Sequence, residues 1–340
     1  MALKILLVAA AYYLAAIVGL QLALVRGQVT PLWPPTGVAL VGLLLLGPRV
    51  WPGITMGALL LNAPLGPSLP AAALIAVGDT LAPLFGYVLL RRVGFRTQFD
   101  RLRDVLALVF LGALASTLFS ANVGASALVL TGGVPQPRFL ATWSVWWTGD
   151  AMGVLVVAPL LLVVRHWRWP RAMRPYRWIE GATLLVSTSL VTVFVAGDTF
   201  QPLFLVFPFL IWAAVRFQVG GATVCVLIAS VVMTRAAAMG AGAFGQRDVF
   251  TNMAILQTFN GTAALTALIL AALIEQGELV HRDLKHACRQ LAELANQLDQ
   301  DNDQLLDALR LPLTTVRQAL VRPTLGNPSK DDPEDSAWRP

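Results

Sequence analysis

The chain has 340 residues; 56% are hydrophobic and 13% charged, and the mean hydropathy is +0.67. Soluble domains carry about 25% charged residues, so this balance excludes an ordinary soluble globular protein and demands a membrane protein. The formal charge of +6 is unevenly divided: residues 1–274 hold 17 Lys/Arg against 7 Asp/Glu, and residues 275–340 hold 8 against 12. The basic excess lies mainly beside apolar runs, where topology and contact with anionic lipid account for it and no nucleic acid is needed.

Apolar segments run over 4–25, 34–47, 52–65, 69–90, 105–131, 139–164, 179–197, 203–216, 219–240 and 252–274. Residues 1–25 resemble a secretory signal in hydropathy but show no small-residue cleavage site, so they are expected to be a retained first span. A full span needs ~20 residues, and the segments 34–47, 52–65 and 203–216 fall short. The expectation is an all-α, polytopic helix bundle with eight to ten transmembrane segments. Two cysteines, Cys225 in an apolar run and Cys288 in the polar tail, exclude a disulfide framework.

Basic residues cluster at Arg91, Arg92, Arg96, Arg101 and Arg103, and again at Arg165, Arg168, Arg171, Arg174 and Arg177. The positive-inside rule places both loops in the cytoplasm, with Lys4 at an inside N-terminus and the tail inside as well. Trp167, Trp169, Trp178 and the group Trp143, Trp146 and Trp147 are expected near segment ends, where amphipathic rings favour the interface.

Ionisable residues within apolar runs are expensive and mark functional sites. Asp79 lies in the fourth segment, Asp150 in the sixth and Arg235 in the ninth, while Arg216 ends the eighth and can snorkel outward. Asp79 and Asp150 are candidates to face one interior cavity, or to pair with Arg235 and fix helix register. Trp33 and Thr36 are candidates to line the same cavity, since a helix starting at Pro34 offers unpaired N–H groups to an anion. Trp147 completes the set of sensing candidates. The histidines, His166, His281 and His286, lie outside the spans, so no metal or haem site is expected. No cofactor is expected either, since no dinucleotide fingerprint, P-loop, HExxH or GxSxG occurs.

In the tail, Leu284, Leu291, Leu298 and Leu305 are spaced by seven, with Cys288, Ala295 and Asn302 between them and Leu309 following. Alternating steps of four and three form a heptad repeat. Leu at d with one Asn at a favours a parallel two-stranded coil, so a homodimer is expected through these residues.

The stretch from Trp33 to Asn62 holds two tandem Trp-Pro starts, each followed by small and aliphatic residues. Together with Gly78-Asp79-Thr80, Arg101-Leu102-Arg103-Asp104-Val105, Trp146-Trp147-Thr148-Gly149-Asp150 with Gly153, and Phe207-Pro208 through Arg216-Phe217, it resembles the membrane-associated sensor domain, type 1 (MASE family). That domain is the input region of many bacterial histidine kinases and diguanylate cyclases. The resemblance implies a sensor domain over residues 1–275 in the bacterial inner membrane, with both termini cytoplasmic.

Residues 276–309 are then a coiled-coil signalling helix. Leu306-Asp307-Ala308-Leu309-Arg310-Leu311-Pro312-Leu313-Thr314 is similar to the H box of histidine-kinase dimerisation domains. Asp307 occupies the phosphoacceptor position, and the boxes of an ATP-binding domain are absent. The reading is a degenerate stub over 306–322 followed by a disordered tail over 323–340. The expectation is a non-enzymatic sensor that signals through a kinase, a response regulator or a membrane receptor. The alternative is a transporter or channel for a small solute, since short broken helices with midplane acids also serve transport.

Overall fold

The structure, a computed structural model, describes residues 1–21, 30–99, 101–166, 175–200 and 202–320. The expectations on Arg168, Arg171, Arg174, Trp167, Trp169, Val321, Arg322 and the tail 323–340 lie outside the described residues.

All regular elements among the described residues are helical. They are α1 (Ala2–Leu20), α2 (Pro34–Leu46), α3 (Trp51–Leu65), α4 (Leu69–Arg92), α5 (Leu102–Ala107), α6 (Ser116–Leu130), α7 (Phe139–Met152), α8 (Ala158–His166), α9 (Pro175–Gly197), α10 (Phe207–Met239) and α11 (Val249–Leu320). A π-helical stretch, Leu108–Ala115, fuses α5 to α6, and another, Gly153–Val157, fuses α7 to α8.

Local signals in the sequence explain several boundaries. Pro34 and Pro35 open α2 and Pro52 opens α3, where a missing N–H costs nothing. Ser68 caps α4 by accepting the Ala71 N–H at 3.3 Å. At the other end of α4, Gly94 takes φ +68°. The Phe95 N–H then reaches the Leu90 carbonyl at 3.0 Å and the Gly94 N–H the Arg91 carbonyl at 3.1 Å. This is a Schellman stop, and Arg91 and Arg92 in its last turn complement the helix dipole. Asp104 in the first turn of α5 accepts the Arg96 N–H at 3.1 Å and ties the basic loop to the helix.

Seven helical stretches among the described residues are long and apolar enough to cross a membrane: Ala2–Leu20, Leu69–Arg92, Leu102–Leu130, Gln136–Arg165, Tyr176–Gly197, Leu203–Gln246 and Phe250–Asn302. The three short segments of the sequence resolve in different ways. Segments 203–216 and 219–240 are the two arms of α10, which breaks at Gln218 (φ +53°, ψ −148°). Segments 34–47 and 52–65 become α2 and α3, of 13 and 15 residues. At 1.5 Å per residue each is only ~20 Å long, against a hydrocarbon core of ~30 Å.

Both short helices are enclosed by longer ones. α3 packs between α1 and α4, and α2 packs against α1, α4 and the π-helical stretch after α7. Ala39, Leu40 and Leu43 of α2 are fully buried. A Cβ at Gly53 of α3 would sit 2.3 Å from the Ile5 carbonyl oxygen of α1, so this contact tolerates only glycine. The chain α4–α6–α7 continues the bundle, and α9 packs on α10.

Residues Met1–Glu278 form one compact unit and Leu279–Pro340 a second. In the second unit the heptad leucines Leu284, Leu291, Leu298 and Leu305 are exposed. The helix assigned to this region runs through Pro312 to Leu320.

Candidate functional site

The site begins with a glycine pair one turn apart on α7 and its π-helical extension. A Cβ at Gly149 would lie 2.1 Å from the Thr30 carbonyl oxygen, and one at Gly153 would lie 1.9 Å from the Trp33 carbonyl oxygen. Only bare backbone lets the strand of chain from Thr30 to Trp33 lie flat on this helix. The contact is fixed by the Trp33 N–H donating to the Gly149 carbonyl at 2.9 Å. Asp150 is thereby set beside the first turn of α2. The widened π-helical turn that starts at Gly153 presents extra backbone surface at this point, as such turns often do near functional sites.

Two hydroxyls hold Asp150. Thr36 of α2 donates to one carboxyl oxygen at 2.5 Å, and Ser120 of α6 donates to the other. The Trp146 indole adds a further hydrogen-bonding interaction. Ser120 also lies 3.0 Å from the Thr117 carbonyl. Its single proton serves either the carboxyl or that carbonyl, so the geometry accommodates both an ionised Asp150 and a neutral one that donates to Ser120.

Asp79 of α4 faces the same space. Its Oδ2 accepts the Tyr12 hydroxyl of α1 at 3.0 Å, and Asp79 and Asp150 interact electrostatically. Both are buried, at 7% and 1% exposure. Among the described residues neither has a cationic partner, and no group of three or more His, Cys, Asp or Glu is placed to hold a metal ion.

Between the two carboxyls is a cavity of about 30 Å³, lined by Thr30, Trp33, Asn62, Ile75, Asp79, Trp146 and Asp150. Thr80, next to Asp79, donates to the Ala76 carbonyl at 2.7 Å and can accept the Thr55 hydroxyl at 2.9 Å, tying α3 to α4.

Of the sequence candidates, Trp33, Thr36, Asp79 and Asp150 meet here. Trp147 does not: its indole N–H donates to the Leu114 carbonyl at 3.0 Å, and its ring stacks on Trp143 at 5.6 Å. Arg235 is exposed on α10 and takes no part in the cluster, so it is not the partner of Asp150. The anion reading of the α2 N-terminus also fails. Pro34 and Pro35 have no N–H to offer, and the groups facing the cavity include two carboxyls.

Trp146 lines this interior site rather than sitting at an interface. Arg216 does not simply snorkel, because its Nε lies 2.7 and 2.8 Å from the two carboxylate oxygens of Glu180 on α9. Tyr12, Ser120 and Asn62 were not singled out as site residues in the sequence, and Trp146 was named only as an interfacial ring and as part of the family pattern. Tyr12 is one of few hydrogen-bonding side chains in α1, which is the only hint the sequence carried.

The family model MASE1 matches residues 4–278. The chain belongs to the MASE1 family. No curated protein and no solved structure matches it. Membership makes this MASE1 chain a multi-pass membrane protein whose first unit is a sensor input domain of signalling proteins. The family match covers the compact unit Met1–Glu278 and leaves the second unit outside it.

Proposed function

We propose that this MASE1 chain senses its stimulus at the Asp79–Asp150 cavity and delivers a change in helix arrangement to a dimeric cytoplasmic helix. The observation that carries the reading is the convergence of two buried acids, from α4 and α7, on one cavity lined also by Thr30, Trp33 and Asn62 of α3, with hydroxyl donors to the acids from α1, α2 and α6. Buried acids inside a membrane are costly and are retained where they serve a purpose. Their donors sit on three other helices, so any change in occupancy or protonation alters hydrogen bonds at several helix contacts together. A stimulus shifts such an element only by its differential affinity for two arrangements, and a polar junction of this kind supplies that difference.

The output reading rests on the tail. The exposed leucines at heptad spacing support a parallel homodimer through Leu284, Cys288, Leu291, Ala295, Leu298, Asn302, Leu305 and Leu309. Residues 306–322 resemble a kinase H box with Asp307 where the phosphoacceptor histidine would stand, which supports signalling through a partner rather than by autophosphorylation. That partner is a kinase, a response regulator or a membrane receptor. The arginine clusters support cytoplasmic termini in a bacterial inner membrane.

The test uses Cys288, which is exposed. Copper-phenanthroline crosslinking of the full chain in membranes should give a Cys288–Cys288 dimer, and Asp150→Asn should change its yield several-fold. A crosslink yield identical in wild type, Asp150→Asn and Asp79→Asn would sink the sensing role of the cavity.

A further inference from the structure

Among the described residues, buried side-chain atoms that have no hydrogen-bond partner concentrate on two consecutive helices. They are Ser230 Oγ and Thr234 Oγ1 on α10, and Asn252 Oδ1, Gln257 Oε1 and both ends of the Asn260 amide on α11. Ser230, Thr234 and Asn260 are fully buried. Other buried helix hydroxyls in this protein donate to the carbonyl one turn back, as Ser116, Thr117, Thr188 and Thr192 do at 2.6–2.8 Å. Those of Ser230 and Thr234 do not, so two protons on α10 go unused while α11 carries unused amide oxygens. An unpaired polar group in an apolar interior is costly, and no water in the hydrocarbon core relieves it.

The two sets are matched in place as well as in chemistry. α10 and α11 are joined by residues 240–248, and the Asn252 amide donates to the Phe244 carbonyl in that connection at 2.8 Å. A connection this short makes the two helices antiparallel neighbours. Phe207 at the start of α10 meets Phe259 of α11 edge to face at 6.4 Å, and both helices contribute to one apolar core. Counted from the connection at 1.5 Å per residue, Thr234 and Ser230 lie ~9 and ~15 Å along α10, and Gln257 and Asn260 ~12 and ~16 Å along α11. Spacings of four and of three residues keep each pair on one face of its helix. Ser230 is thus level with Asn260, and Thr234 with Gln257.

We propose that α10 and α11 form a two-position switch. In its second position α11 shifts by less than one turn against α10, and the Ser230 and Thr234 hydroxyls donate to the side-chain oxygens of Asn260 and Gln257. Such bonds between membrane helices are individually modest, so losing the present packing around Met233, Leu256 and Phe259 offsets them and keeps the two positions close in free energy. Packed cores shift between discrete arrangements rather than deforming continuously. α11 is one unbroken helix from Val249 to Leu320, so a shift at Asn260 is carried along it into the tail. The inference rests on the Asp79–Asp150 cavity for its input and names the moving part that answers it.

The experiment is a disulfide trap in the full chain in membranes, in a Cys225→Ser, Cys288→Ser background. Copper-phenanthroline oxidation of Ser230→Cys with Asn260→Cys should give an intrachain disulfide, read as a linked peptide by mass spectrometry. It should form several-fold faster than in Val231→Cys with Asn260→Cys. Thr234→Cys with Gln257→Cys is the second trap where the first pair does not fold. Positions whose Cα atoms stay more than ~7 Å apart cannot be bridged, so no linked peptide from either trap, or a rate no faster than the Val231 control, overturns the proposal. The second readout keeps both native cysteines and is one that a merely structural role would not move. Asn260→Leu and Ser230→Ala should each abolish the change that Asp150→Asn makes in Cys288 crosslinking, and together should do no more than either alone. A response that survives both substitutions overturns the switch. If Asp150→Asn itself leaves Cys288 crosslinking unchanged, the cavity reading fails and the traps alone decide the switch.

Discussion

Among the described residues Asp150 is held by the hydroxyls of Thr36 and Ser120, and this sets the cost of removing it. Asp150→Ala leaves the Thr36 and Ser120 hydroxyls without their acceptor. A buried group left unsatisfied costs about 1–3 kcal/mol, so the midpoint in detergent melts should fall accordingly. Asp150→Asn keeps an acceptor oxygen and should lose less. Combining Asp150→Ala with Arg235→Ala should be additive, because the two residues do not share a site. The glycines beside Asp150 are less forgiving. Gly153→Ala or Gly149→Ala would place a methyl about 2 Å from a backbone oxygen that has nowhere to move. Either should cost at least the ~1–3 kcal/mol usual for overpacking. Gly181→Ala meets only the edge of the Phe217 ring at 3.6 Å and should melt like wild type.

Among the elements, α10 and α11 hold the unspent strain and polarity of the sensor unit. Gln218 at φ +53° and ψ −148° occupies a region that is essentially glycine's own, at a cost of about 1–3 kcal/mol. Gln218→Gly should therefore raise the melting midpoint, and a fall would show that the Gln218 side chain itself stabilises the kink. Asn260 of α11 is fully buried, and neither end of its amide has a partner among the described residues. Asn260→Leu should stabilise the unit by about 1–3 kcal/mol. A loss of stability would reveal a polar partner for Asn260 in the working membrane protein.

The start of α11 is better satisfied. Asp248 accepts the Thr251 hydroxyl at 2.6 Å and its N–H at 3.0 Å. These hydrogen bonds hold the Asp248 carboxyl below its ordinary pKa. A depressed acid contributes stability that is complete above its unfolded pKa of about 3.9 and is lost as pH falls through the lower folded value. Asp248→Asn should accordingly remove part of the acid sensitivity at this helix start, read as amide exchange of Thr251 and Asn252 across that range.

For the whole molecule, the predictions concern association and chemistry. If the proposed dimer forms, an Asn pair at an a position costs stability and specifies alignment, so Asn302→Leu should strengthen dimerisation while loosening register. Analytical ultracentrifugation in detergent and the sharpness of Cys288 crosslinking would measure the two effects separately. Incubation with labelled ATP and magnesium should leave the chain unlabelled, since Asp307 carries no imidazole nitrogen to be phosphorylated. Acid-labile label on this chain alone would refute the partner-dependent output.

Composition and hydropathy by themselves determined that the chain is a helical membrane protein, because a buried backbone in lipid has to satisfy its own hydrogen bonds. The Trp-Pro starts, the Gly78-Asp79-Thr80 and Thr148-Gly149-Asp150 triplets and Gly153 were legible as a family pattern, and the acids stood out because charge in an apolar run is rare. Which polar groups meet was not legible. Nothing in the local sequence tells Tyr12 that it reaches Asp79, 67 residues on, or Thr36 that it reaches Asp150, 114 residues on. Arg235 looked the natural partner for Asp150, yet its position on the helix turns it outward. Rotation about a helix axis is decided by packing against neighbours, and in a uniformly apolar helix the sequence carries little record of it. The tertiary structure alone decided that two backbone-thin glycines bring α2 onto α7, and so that Asp79 and Asp150 share a cavity.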